Sequence, residues 1–131
     1  AIGGVATFTG LVRDMAPGDG SARPISAMTL EHYPGMTERA LQDIVSEAEG
    51  RWSLQGVRLI HRVGRLEPGD PIVMVAVASA HRRHAFEACD FIMDYLKTRA
   101  PFWKKEHTVS GQYWVAERDT DIEDAKRWEA T

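Results

Sequence analysis

The run IVMVAVASAHRRHAFEACDFIMDYLKTRAPFWKKE, residues 72–106, decides how this chain folds. Its first part, Ile72 to Ala78, is almost continuously apolar and rich in valine, which predicts a central strand buried on both faces. Ser79 follows at once and is placed to cap a helix. That helix carries Ala85, Phe86, Cys89, Ile92, Met93 and Leu96 on one apolar stripe. Pro101 ends it, because proline lacks an N–H and disfavours a helical residue before it. Lys97 and Lys104 then lie on either side of a forced turn, with Phe102 and Trp103 pinning that turn to a core. Arg99 and Lys105 add to the local positive charge. Such residues can simply complement the dipole of a helix C-terminus. His81 and Arg82 cannot, because they fall in the first turn of the same helix, where cations oppose the dipole. A local cost without a local benefit points to a ligand or partner.

Outward from this run the pattern is mixed. Val5 to Val12 predicts a strand, and Gly10 inside it suggests a bulge or a close approach of another backbone. Residues 14–24 have the composition of a mobile loop. A second strand, Ile25 to Tyr33, stops at Pro34-Gly35. Thr37 is placed to cap an amphipathic helix carrying Leu41, Ile44, Val45 and Ala48, with Gly50 as its stop. Val57 to Val63 alternates, with Val57, Leu59, His61 and Val63 on one face. Glu67-Pro68-Gly69-Asp70 is a turn, and Thr108 to Val115 a hairpin pivoting on Ser110-Gly111. The tail, 119–131, is polar and expected to fray, although Trp128 could dock it. Strands and helices interleave without regular βαβ spacing, so the expected class is α+β with a mainly antiparallel sheet, in one domain over residues 1–131.

The totals remove several functions. A net charge of -3 gives no general attraction to nucleic acid, so a basic site must be local. The single cysteine, Cys89, lies on the apolar stripe and reads as a core residue. It can form no internal disulfide, and multi-cysteine zinc sites are excluded. No apolar run approaches the roughly 18 residues of a membrane span, and Ala1 to Gly4 lacks a signal-peptide pattern, so a cytoplasmic protein is the default expectation. His81 and His84 are one helical turn apart, but no carboxylate or H-E-x-x-H pattern supports a metal. There is no G-x-S-x-G around a nucleophile either. What remains is a set of cations at the ends of elements: Arg13, His81, Arg82, Lys97, Arg99, Lys104, Lys105 and Arg118. Such a set suits an anionic small molecule or a carboxylate-bearing tail. Clustered cations also lower the pKa of a lysine, which suits it to proton transfer or carbonyl chemistry.

Several segments carry a family resemblance. They are Phe8-Thr9-Gly10-Leu11-Val12-Arg13, residues 30–36 (LEHYPGM), Ile60-His61-Arg62-Val63-Gly64, Ser79-Ala80-His81-Arg82 and, above all, residues 94–106 (DYLKTRAPFWKKE). Together they resemble the large, catalytic subunit of molybdopterin synthase, the MoaE family, over nearly the whole chain. The departures are a missing N-terminal lead-in and the variable loop 14–24. The resemblance implies an α/β-hammerhead fold. It implies a sulfurtransferase that converts cyclic pyranopterin monophosphate (precursor Z) into molybdopterin in molybdenum cofactor biosynthesis. Sulfur would come from the C-terminal Gly-Gly thiocarboxylate of a small ubiquitin-like subunit, within a heterotetramer built on a large-subunit homodimer. By motif, Lys97 and Lys104 would be catalytic. Substrate contacts would fall on Leu11, Val12, Arg13, His81, Arg82, Lys97, Lys104, Lys105, Glu106 and Arg118. No cofactor, metal, nucleic acid or membrane is implied. The alternative is a non-catalytic module that docks a ubiquitin-like tail, which would need the arginines but not a lysine with a lowered pKa.

If sulfur arrives only on a partner, Cys89 has no chemical role. Cys89→Ala is therefore expected to fold and to keep wild-type turnover with the thiocarboxylated partner. The isolated chain supplied with sulfide should not turn over. An inactive but folded Cys89→Ala would contradict this.

Overall fold

The computed structural model describes residues 1–16, 23–115 and 119–129. Its centre is β7 (Pro71–Ser79), which pairs antiparallel with β1 (Gly4–Leu11) on one side and β5 (Gly56–His61) on the other. Val73, Val75, Val77 and Ser79 are buried on one face, while Ile72, Met74, Ala76 and Ala78 on the other are only partly covered. The expectation of burial on both faces therefore holds in full on one face. The buried face packs under α2 (Arg82–Arg99) and α1 (Met36–Arg51), through Ala85, Ala88, Phe91, Ile92 and Tyr95 of α2 and Ile44 and Ala48 of α1.

A second antiparallel sheet has the order β6 (Gly64–Leu66), β4 (Ala27–His32), β8 (Phe102–Thr108), β9 (Gly111–Val115). Its core is Val12, Met28, Leu30 and Leu66. Two short strands, β2 (Met15–Ala16) and β3 (Arg23–Pro24), pair across the loop read as mobile, whose residues 17–22 lie outside the described ones. The class is α+β with antiparallel sheets, as expected. No helix among the described residues is long and apolar enough to cross a membrane.

Gly10 marks the bulge its position suggested, and the close neighbour there is a side chain rather than another backbone. The β1–β7 register shifts between Gly10 and Leu11, and a Cβ on Gly10 would stand 2.9 Å from Val73 Cγ1. Gly111 turns the β8–β9 hairpin at φ 139°, a conformation that disfavours any side chain. The hairpin is longer than read, because its first strand begins at Phe102 rather than Thr108.

Neither expected residue is the cap, although Ser79 Oγ accepts from the N–H of the cap residue His81 at 3.2 Å. The α1 cap position is Gly35, and the Thr37 hydroxyl instead accepts from the Tyr33 N–H (2.9 Å) and donates to the Pro101 carbonyl (3.2 Å). The α2 cap position is His81, while Ser79 Oγ donates to the Ser53 carbonyl at 2.7 Å. Both hydroxyls are buried and tie distant segments together. Phe86, assigned to the apolar stripe, is 62% exposed, and Phe91 and Tyr95 fill the core in its place.

The tail does not fray as expected. Asp119–Lys126 forms α3, and the turn after it docks on α2. Asp94, 8% exposed, accepts from Trp128 Nε1 (2.7 Å) and from the Arg127 guanidinium (2.8 Å). The Trp128 ring meets Trp52 and Phe91 edge-on. Removing the carboxylate strands the Trp128 N–H, while Arg127 keeps Asp90 at 2.6 Å, and a bond to a charged group is worth about 1.5–3 kcal/mol. Asp94→Ala is therefore expected to lower unfolding free energy by about 1.5–3 kcal/mol, read from the urea midpoint, and to open the 119–129 segment to protease. An unchanged midpoint would show that the docking contributes nothing.

Candidate active site

Pro101 shapes the basic end of α2. Ala100 is extended (φ −88°, ψ 131°), and the chain enters β8 within two residues. Lys97, in the last turn of α2, has a side chain 47% exposed, with Nζ 3.6 Å from Asp121 Oδ1 of α3. Lys104, on the far side of the Pro101 turn, lies inside β8, opposite Leu30 on one side and Val115 on the other. Strand alternation then sorts the motif. Phe102, Lys104 and Glu106 share one face, and Trp103 and Lys105 the other. Trp103 meets Tyr33 edge-on at 5.0 Å, and Lys105 Nζ lies 4.5 Å over the Trp114 ring. The adjacent lysines thus diverge, and Lys105 takes part in a cation–π contact.

On the Lys104 face, the His61 ring stacks on Phe102 with centroids 3.8 Å apart and planes 17° from parallel. His61 Nδ1 lies 2.8 Å from the Arg62 carbonyl. Burial holds the His61 pKa below the ordinary 6.5; the bond to Arg62 works in the opposite direction, and the charge of Lys104 lowers it further. One signal for this residue is legible in the strand pattern, a lone polar side chain on the Val57–Leu59 face, but nothing there connects it with Lys104.

Topology divides the remaining cations between two ends of the molecule. β7 runs from Pro71 to Ser79, and α2 returns in the opposite sense across it. Leu11 opposes Pro71, and His61 opposes Val73. Arg13, His61 and Lys97 thus belong to the end of the sheet where β7 begins, and Lys104 is placed there by the stack of His61 on Phe102. There Leu11, Val12, Arg13 and Asp14 line an open groove with Pro68 and Gly69. Its wall is fixed by bonds from the Gly69 N–H to the Val12 carbonyl and from the Val12 N–H to the Asp70 carbonyl, each 2.9 Å. Val12 is buried, and Arg13 stands exposed beside it.

His81 and Arg82 lie at the other end. They are exposed at the start of α2, with the His81 ring 5.1 Å from that of His84. Fifteen residues of helix at 1.5 Å each separate Arg82 from Lys97, about 22 Å. Within one chain the structure does not bring these groups together. Arg99, from the same cation set, is held by its stack on Tyr95 (3.7 Å) and by Glu47 (3.3 Å). Arg118 lies outside the described residues. Cys89 is buried, and burial raises its pKa, which keeps it a thiol. Among the described residues no three His, Cys, Asp or Glu side chains gather as a metal site requires.

Residues 1–99 match the family model described as MoaE protein. The chain belongs to the MoaE family. The matched span holds Arg13, His81, Arg82 and Lys97 and stops short of Lys104. Longer alignments carry the likeness past it. The chain is 63% identical over 126 residues to the molybdopterin synthase catalytic subunit of Yersinia pestis, covering 96% of this chain and 81% of that one. Among solved structures it is similar to a MoaE protein from Burkholderia ambifaria, with a TM-score of 0.78 at 53% identity over 98% of this chain and 81% of the other. It is also similar to molybdopterin synthase from Staphylococcus aureus, with a TM-score of 0.81 at 32% identity over 88% and 81% of the two chains. The fold reached from the periodicities is thus shared with other MoaE proteins.

Proposed function

We propose that this chain is the catalytic subunit of a molybdopterin synthase, a sulfurtransferase, and that Lys97 and Lys104 carry its chemistry. The observation behind the assignment of the lysines is their placement. Both flank the Pro101–Phe102 junction, at the end of the molecule that also holds the Arg13 groove. The sulfur donor is the C-terminal thiocarboxylate of a small ubiquitin-like subunit, and the acceptor is cyclic pyranopterin monophosphate. The thiocarboxylate sulfur displaces an oxygen substituent of the pterin side chain, giving a thioester. Water adds to its carbonyl carbon, and negative charge builds on that tetrahedral intermediate before its C–S bond breaks, leaving the sulfur on the pterin and a carboxylate on the carrier. Lys97 stabilises that charge and protonates the leaving group, and Lys104 assists from β8. Arg13 stands where a guanidinium can hold the substrate's phosphate by paired hydrogen bonds. Lys105 lies on the opposite face of β8 and serves the rim of the site. Glu106, on the Lys104 face, borders it.

His81 and Arg82 enter this account through a second copy of the chain. Groups about 22 Å apart on one rigid helix cannot grip one small pterin. In a homodimer the N-terminal end of α2 from one copy can complete the site at the C-terminal end of α2 in the other. This supports a large-subunit dimer.

Losing one preorganised electrostatic donor lowers rate by about 10²–10³. Lys97→Ala is expected to lose at least that in single-turnover conversion of precursor Z with thiocarboxylated partner. Folding and partner affinity should stay near wild type. Lys97→Arg should recover little, since the guanidinium keeps its proton and differs in shape. A Lys97→Ala variant retaining more than about a tenth of the rate, a loss below 1.4 kcal/mol, would favour the non-catalytic docking module.

A further inference from the structure

His61 lies beside this chemistry, and neither the cation pattern nor the motif assignments placed it there. It comes from β5 of the first sheet, yet its ring lies on Phe102, a residue of the second. Phe102 and Lys104 are two apart in β8, so their side chains rise from the same face. The ring that covers Phe102 therefore borders Lys104. The Arg62 carbonyl can only accept, so the 2.8 Å contact fixes the proton on Nδ1. Nε2 is left as the acceptor of the ring.

We propose that His61 is a positioning residue for Lys104, its unprotonated Nε2 accepting from the ammonium and holding it over the reacting thiocarboxylate. The inference rests on the reading of Lys104 as catalytic. No bond is made or broken at His61; the imidazole orients a donor and adds no charge of its own. The surroundings favour that neutral state. From β8 the charged group facing it is Lys104. Its β7 partner is Val73, and the neighbouring Arg62 sends its guanidinium to the Pro71 carbonyl at 3.1 Å. Protonation would replace an acceptor with a second cation beside Lys104.

Two variants separate the acceptor from the stack. His61→Phe keeps an aromatic ring on Phe102 and removes both nitrogens. His61→Gln gives up the ring and keeps an amide that can accept near the Nε2 position. In single-turnover assays with thiocarboxylated partner and precursor Z, His61→Phe is expected to lose about tenfold in rate with substrate KM unchanged. His61→Gln should recover most of that loss. The wild-type rate should fall as pH drops through the His61 pKa, which lies below 6.5, and His61→Gln should lack this acid limb. Because the effect acts through Lys104, adding His61→Phe to Lys104→Ala should cost nothing further. If Lys104→Ala is impaired while His61→Phe runs at wild-type rate, or if the two losses multiply in the double variant, the role of His61 is overturned and that of Lys104 stands. Impairment of His61→Gln with a fully active His61→Phe would reduce the residue to packing and overturn the inference in the same way. A wild-type rate for Lys104→Ala would overturn both.

Discussion

Phe102 packs against both hydrophobic cores of this molecule, the one beneath α2 and the one between β4, β6 and the start of β7. Its place follows from its neighbour in sequence. Pro101 cannot continue α2, and the extended Ala100 before it turns the chain into β8. The Pro101 carbonyl is held by the Thr37 hydroxyl at the start of α1, so the turn is tied to a second helix. Three groups at this end hang from that junction. Lys97 precedes it by four residues, Lys104 follows it by three, and His61 lies on its ring. A change in the angle between α2 and β8 would move each of these groups relative to the others.

Electrostatics explains why the cations are divided. Lys97 and Arg99 sit at the C-terminus of α2, where positive charge complements the dipole, and each has a carboxylate within reach, Asp121 and Glu47. His81 and Arg82 sit at the N-terminus, where it does not. The first pair has a structural use whether or not a ligand binds. The second works against the dipole, and in the proposed dimer its use is to complete a neighbour's site.

How much was legible follows from the range of each interaction. β7 and α2 declared themselves because a valine run and a helical stripe are local patterns. Gly10 was legible because only a missing Cβ lets the chain approach Val73. The caps were misread at Ser79 and Thr37 because both hydroxyls bond to residues far along the chain, Ser53 and Pro101. α3 was taken for a frayed tail because its anchor, the Trp128 bond to Asp94, spans 34 residues. Phe102 to Thr108 hid as a strand because Lys104, Lys105 and Glu106 interrupt any apolar alternation. The cation set itself was legible, and the resemblance singled out Lys97 and Lys104 within it. The separation of His81 and Arg82 from Lys97 lies in the length of α2 itself, and the structure adds that Lys104 and Arg13 stand at the Lys97 end.

That separation makes the shared site the central claim, and mixed dimers test it most directly. Lys97→Ala and Arg82→Ala chains, carrying different tags, can be coexpressed and the doubly tagged dimer isolated. If one site draws Lys97 from one copy and Arg82 from the other, one of the two sites in that dimer is intact and the other carries both changes. The predicted result is about half the wild-type rate with thiocarboxylated partner and precursor Z, at substrate below KM, far above either parent. A mixed dimer no more active than the average of its parents would place both residues' effects within single chains and contradict the account.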